Sequence, residues 1–273
     1  MPNMDEITAP FAPAEIAPPP PLEVKWRYVI AARTDMGRVR ENNEDKFEFY
    51  IPEDEPTLAR RGAAFIVCDG MGGHEAGQIA SELAAKTWID VYFNHPGHDP
   101  ADAARDATLA ANRFVFDRSR AIPKYRDMGT TLTALVVVQG RAIVAQVGDS
   151  RCYRRRAEET TCLTTDQTWV EETVAAGVMS REEAEAHPYR HVILQAIGTN
   201  AELNPAIGDH EAHDGDVYLL CSDGVTNHVD DEALHLALAH PCSAAAWSLV
   251  NQALAGGGSD NATVIVLRLE KAD

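Results

Sequence analysis

Ala63-Ala64-Phe65-Ile66-Val67-Cys68-Asp69-Gly70-Met71-Gly72-Gly73 opens with six apolar residues and ends in a turn. Six residues are too few for a stable helix, and no polar residue interrupts them. The run therefore reads as a buried strand that stops at Asp69-Gly70. The same grammar returns at Val217–Cys221, followed by Ser222-Asp223-Gly224. Two buried strands that each end in an aspartate set the terms for everything around them.

Before the first of them, Trp26, Tyr28 and Ile30 alternate with Lys25, Arg27 and Val29, as in a strand. After it, Ile79, Leu83, Trp88, Val91 and Tyr92 recur at helical spacing. So do Ala103, Ala107, Ala110, Ala111 and Phe114. The pattern predicts two consecutive helices joined through the His95–Pro100 turn. Residues 130–138 and 141–147 then read as a hairpin about Gln139-Gly140. Cys152–Arg156 and Thr160–Leu163 form a second hairpin. Residues 166–188 read as helical, with a capping box at Ser180 and Glu183 and a stop at His187-Pro188. Two Ala/Leu-rich helices follow at 231–240 and 243–255, and Ala262–Leu269 is a closing strand. Strands and helices come in blocks rather than in alternation, so the class is α+β.

The chain has 273 residues, 45% of them hydrophobic, enough for a core. Lys and Arg number 24 against 42 Asp and Glu, a formal charge of −18. That balance disfavours nucleic acid and anionic membranes as main partners, since both require a basic face. No apolar run approaches the roughly 18–20 residues of a membrane span. No secretory signal is visible, and the five scattered cysteines lack metal or disulfide spacing, so a cytoplasmic location is expected. Residues 1–22 hold seven of the fifteen prolines and no glycine, the composition of a disordered tail. The folded domain is expected over residues 23–271.

Four acidic sites place a carboxylate beside an apolar strand and next to Gly or Asn: Asn43-Glu44-Asp45, Asp69-Gly70, Asp223-Gly224 and Asp260-Asn261. A lone Asp-Gly serves as a turn. Repeated after comparable strands, it suits an all-oxygen site for Mg²⁺ or Mn²⁺. No GxSxG elbow, Walker loop or HExxH is present.

Taken in order, the segments resemble the metal-dependent serine/threonine protein phosphatases of type 2C in their compact bacterial form. The resemblance rests on Thr34–Asp45, Val67–His74, Asp127–Thr131, Gly148–Arg151, Leu163–Asp166, Gln195–Gly198, Leu220–Gly224 and Ser259–Thr263. It implies a four-layer α-β-β-α sandwich of two mainly antiparallel sheets flanked by helix pairs. A small flap at about residues 166–190 goes with it. It implies two Mn²⁺ or Mg²⁺ ions and a third, weaker one. Asp69 would bridge two metals with the Gly70 carbonyl as a further ligand. Asp223 and Asp260 would complete one shell, and Glu44 and Asp45 would hold the second metal, partly through waters. Asp127, sharing Asp223, would serve the third. Gly148-Asp149 more resembles a strand turn than a ligand.

The implied activity is hydrolysis of phosphoserine and phosphothreonine monoesters by in-line attack of a metal-bridging hydroxide. Arg40 would hold the phosphoryl oxygens. Eukaryotic members carry a His after the Asp-Gly, where this chain has Met71, whose thioether cannot donate a proton. His74 is the candidate substitute or substrate contact. Implied partners are phosphorylated proteins and a cognate serine/threonine kinase, with the chain itself a monomer. A dead binding module on the same fold would have lost one of Asp69, Asp223 or Asp260, and all three are present. A phosphodiesterase or nuclease is disfavoured by the charge.

Overall fold

The run at residues 63–68 is a strand, β3 (Ala63–Cys68), and every residue in it is buried. Its side chains alternate between two faces. Phe65 and Val67 point between two sheets with Leu220, Ile265 and Leu267, while Ile66 and Cys68 point outward under helices with Trp88 and Ala84. Both faces are dry, which is why the run carries no polar residue. The structure is a computed structural model, and it describes residues 22–73 and 75–272. The tail expected over residues 1–22 therefore lies outside the described residues apart from Leu22, and so does His74.

One sheet has the order β1 (Trp26–Asp35), β12 (Ala262–Lys271), β11 (Val217–Cys221), β8 (Arg151–Arg156), β9 (Glu159–Cys162). The other has the order β10 (Ala206–Glu211), β7 (Arg141–Val147), β6 (Leu132–Val138), β3, β2 (Lys46–Tyr50). All pairings are antiparallel. A short ribbon, β4 (Gly70–Met71) with β5 (Gly129–Thr130), continues past the end of β3. Gln139 and Gly140 sit at φ 52° and 90°, the left-handed pair that a tight hairpin between β6 and β7 requires.

Helices α2 (Glu75–Asn94) and α3 (Pro100–Ala121) cover the outer face of the second sheet. Asp99 caps α3 through the Ala101 and Asp102 amides, and Pro100 occupies its first position. Helices α7 (Asp231–Leu238) and α8 (Cys242–Ala255) cover the first sheet, burying Leu234, Leu249 and Val250 against Leu219 and Val266. The layers are thus α-β-β-α, as the resemblance implies. Two short helices lie elsewhere: α1 (Glu55–Arg61), and α6 (Asp223–Thr226), which starts at an aspartate of interest.

The stretch 166–188, read as helical, is two short helices, α4 (Trp169–Ala175) and α5 (Arg181–Glu185). Gly177 at φ 71° separates them, and the Ser180–Glu183 capping box starts the second. The root of this excursion is clamped by Arg151, whose Nε and Nη2 donate to Asp166 at 2.9 and 2.7 Å.

Candidate metal centre

Antiparallel register decides where the acidic residues meet. Lys46 pairs with Cys68, Val67 with Thr133, Leu132 with Val147, Cys221 with both Arg151 and Val264. Hence the start of β2 and the ends of β3, β7 and β11 lie at one end of the sandwich, with the starts of β8 and β12. Glu44 and Asp45, Asp69, Asp149, Asp223 and Asp260 occupy the loops at that end.

Each is held by its own backbone and neighbours. The Asp69 amide donates to Thr131 Oγ1 at 2.9 Å, and its carbonyl accepts from the Thr131 amide and the Thr130 hydroxyl. A Cβ on Gly70 would overlap the backbone oxygens of Gly77 and Glu44, and one on Gly77 would overlap the Glu44 carboxylate. Glycine at both positions lets the start of α2 close over Glu44. Asn261 is a staple that sequence reading passed over as a mere neighbour of Asp260. Its Oδ1 accepts from the Glu44 amide at 2.8 Å, and its Nδ2 donates to the Met36 and Asn42 carbonyls at 2.9 Å. It ties the loop bearing Arg40 and Glu44 to the start of β12.

The carboxyls crowd one another. Burial, then the charges of Asp45, Asp223 and Asp149, hold the Asp69 carboxyl well above its ordinary range, and it reaches Asp223 in a side-chain hydrogen bond. Burial and Asp260 likewise raise Asp223. Burial first, then neighbouring carboxylates, pushes Asp45 and Asp149 each up to about 7. Asp45 Oδ2 accepts from the Ser222 hydroxyl at 2.7 Å. Its Oδ1 is fully buried without a hydrogen-bond partner among the described residues. Asp223 accepts from Asn227 Nδ2 at 3.1 Å. Arg40 Nη2 donates to Asp260 Oδ2 at 2.6 Å, and over half of the Arg40 side chain stays exposed.

A buried oxygen without a donor beside several repelling carboxylates is a donor set for a hard divalent cation, which would relieve both defects. Among the described residues no three His, Cys, Asp or Glu side chains yet converge on one point. The carboxyls are instead engaged in pairs: Asp69 with Asp223, Asp45 with Ser222, Asp260 with Arg40.

Asp127, which the resemblance implies as a ligand of the third ion, lies in the loop just before β5. It has left-handed backbone, φ 64°, and its amide donates to Ser119 Oγ at 3.1 Å. It lines a separate surface pocket with Ser119, Arg120 and Arg126, and is not among the charges that act most on Asp69 and Asp223. Asp149 belongs to the buried acidic cluster as well. It lines a cavity of about 150 Å³ with Asp223, Arg151 and Asp166, walled by α5. Locally, Gly148-Asp149-Ser150 reads as a turn, because the neighbourhood of Asp149 forms only by long-range convergence.

A profile of the family described as Protein phosphatase 2C matches residues 39–254. The chain belongs to that family. It is 39% identical over 238 residues to the serine/threonine protein phosphatase PstP of Mycobacterium tuberculosis, covering 86% of this chain and 44% of PstP. The chain thus spans less than half the length of that relative. Protein phosphatase PhpP of Streptococcus pneumoniae is 35% identical over 253 residues, covering 89% of this chain and 98% of PhpP. A crystal structure of the M. tuberculosis phosphatase superposes with a TM-score of 0.79 at 38% identity, covering 90% and 99% of the two chains. The PstP catalytic domain in complex with two manganese ions gives 0.76 at 36% identity, with the same coverage.

Proposed function

We propose that this chain is a metal-dependent phosphatase that hydrolyses phosphoserine and phosphothreonine monoesters in proteins. The observation that carries the reading is the meeting of Glu44, Asp45, Asp69, Asp149, Asp223 and Asp260 at one end of the sandwich, with one buried oxygen lacking a donor. The manganese-bound PstP domain supports a divalent ion as the missing partner. Asp69, the Gly70 carbonyl, Asp223 and Asp260 would hold one ion, and Glu44 and Asp45 a second. For a third, weaker ion, Asp127 would partner Asp223, and buried Asp149 stands beside Asp223 as an additional carboxylate. When bound, Mn²⁺ or Mg²⁺ supplies a water of lowered pKa and charge neutralisation at the phosphoryl group.

The chain's own residues do the rest. Arg40 is tethered through one nitrogen to Asp260, so its planar fork is pre-aimed over the carboxylate cluster. There it orients phosphoryl oxygens and offsets their growing charge. Met71 cannot protonate the departing serine or threonine oxygen, so that proton comes from solvent or from His74, which lies outside the described residues. The reading extends to opposition of a cognate serine/threonine kinase, as a monomer in the cytoplasm. Among the described residues no helix is long and apolar enough to cross a membrane.

The test is turnover of p-nitrophenyl phosphate and a phosphothreonine peptide with Mn²⁺ and with EDTA. Activity is expected with the metal, and Asp223→Ala is expected to abolish it. Turnover that survives both EDTA and Asp223→Ala would sink the mechanism.

A further inference from the structure

Five of the 24 Lys and Arg residues fall within residues 113–126 of a chain whose net charge is −18: Arg113, Arg118, Arg120, Lys124 and Arg126. Arg113 is paired with Asp117 at 2.8 Å, and Lys124 with Glu75. Arg118, Arg120 and Arg126 have no carboxylate within 4 Å among the described residues. Two of the three are held in place by rings, Arg118 over Phe114 at 5.1 Å and Arg120 over Phe116 at 5.5 Å. Stacking fixes a guanidinium without consuming its hydrogen-bond donors, so little entropy remains to be lost when an anion arrives.

The C-terminal dipole of α3 accounts for cations at Arg118 and Arg120. It does not account for Arg126, which follows the single 3-10 turn Pro123–Tyr125 beyond the helix. Arg120 and Arg126 nonetheless converge on one pocket of about 180 Å³, with Ser119 and Asp127. The β4–β5 ribbon links that pocket to the strand end that bears Asp69. Met71 pairs with Gly129 in the β4–β5 ribbon, and a Cβ on Gly72 would lie 3.1 Å from Met128 Cα and 3.4 Å from the Asp127 carbonyl. Asp69 therefore lies about four residues from Asp127 along the ribbon, roughly 13 Å at ~3.3 Å per residue.

We propose that Arg120 and Arg126 form a docking surface for an acidic segment of the phosphoprotein substrate, about four residues from the phosphorylated serine or threonine. This rests on the reading of the chain as a phosphatase. Arg40 and the metal centre select the phosphoryl group, and this patch selects what flanks it. The occupant is a carboxylate-rich peptide because Arg120 and Arg126, exposed and without an ion-pair partner among the described residues, face one pocket in a chain whose net charge is −18.

Two phosphothreonine peptides with the same core, one with Asp and Glu flanks and one with Ser and Gln flanks, test it with Mn²⁺ present. The wild type is expected to show a KM roughly tenfold lower for the acidic peptide, the effect of two partly screened ion pairs. The preference should shrink as salt rises. Arg120→Glu/Arg126→Glu should erase it through KM, with kcat, p-nitrophenyl phosphate turnover and thermal unfolding unchanged. Equal KM for the two peptides in the wild type, or a preference that survives charge reversal, overturns the proposal while leaving the phosphatase reading intact. Inhibition by a single-stranded oligonucleotide at lower concentration than by the acidic flank peptide also overturns it. Absence of turnover on every substrate defeats the phosphatase reading, and the docking proposal with it.

Discussion

Replacing Asp45 with Asn is expected to stabilise the metal-free protein and to destabilise the metal-loaded one relative to wild type. The carboxyl of Asp45 is pushed from its ordinary 3.8 up to about 7, first by burial and then by Asp223 and Asp260. The sign follows from which state binds the proton. Above pH 7 both folded and unfolded chains carry the charge, and the fold bears its full cost. Between pH 7 and 4 the folded chain takes up the proton first, so stability rises as pH falls. A gap of about three pH units corresponds to about 4 kcal/mol, and because neighbouring carboxylates share the repulsion, removing one charge should recover roughly half of it. Roughly 2 kcal/mol in a domain of this size raises Tm by about 4–8 °C. Asn keeps the shape, and its amide still accepts from Ser222. Thermal unfolding of both proteins in EDTA at pH 8 and pH 5.5, and with Mn²⁺ at pH 8, reads the effect. The variant should melt higher in EDTA at pH 8, with a smaller lead at pH 5.5. Saturating Mn²⁺ should reverse the order, because an ion at 100 times its Kd adds about 2.7 kcal/mol to the wild type. A variant that melts lower in EDTA at pH 8, or Mn²⁺ that raises both equally, refutes the assignment of Asp45 to a buried cation site.

Arg40→Lys keeps the charge but loses the planar fork, so kcat/KM should fall about 100-fold while Mn²⁺ affinity by calorimetry stays within a few-fold. Gly224→Ala puts a Cβ onto the Asn261 carbonyl oxygen, a backbone clash expected to cost about 2–3 kcal/mol in urea unfolding; an unchanged midpoint would contradict the packing described. Far from the site, Asp216 is buried and accepts two bonds from Arg156 at 2.8 Å, with further bonds from the His213 amide and the Tyr218 hydroxyl. Burial pushes its carboxyl up, but these donors outweigh burial and hold it below the ordinary value. Its contribution is therefore present above about pH 4 and lost as pH falls through the folded pKa. Asp216→Ala should cost roughly 3 kcal/mol at pH 7, read as a urea midpoint shift that narrows toward pH 3.

The parts of the fold legible in sequence were those whose burial is set locally. The run Ala63–Cys68 is buried on both faces, and the Gln139-Gly140 turn needs left-handed backbone. Residues 46–50, 55–61 and 206–211 were passed over. Helix α1 has seven residues and no apolar stripe; its Asp54 cap, Pro56 and Gly62 were its only signals. Strand β10 is a half-exposed edge with the sequence Ala-Ile-Gly-Asp-His-Glu. At the site, Asp69, Asp223 and Asp260 could be picked because each adjoins a buried strand. Asp149 could not, since nothing beside Gly148-Asp149-Ser150 says that the β7–β8 corner meets the ends of β3 and β11. Asp127 was legible only through its motif, since its left-handed backbone, its amide bond to the Ser119 hydroxyl and the pocket it shares with Arg120 and Arg126 carry no local sequence signal.

The acidic residues at the mouth of the sandwich come from segments as far apart as residues 44 and 260, and Asp45 meets Ser222 across the two sheets. A chain emerging from synthesis can complete the set only after residue 260 has been made and β12 has slotted between β1 and β11. A cut anywhere between the two sheets' contributions splits the set. On the metal-dependent reading proposed above, a half-assembled sandwich would have no complete site for a divalent ion, so activity would wait on the finished topology.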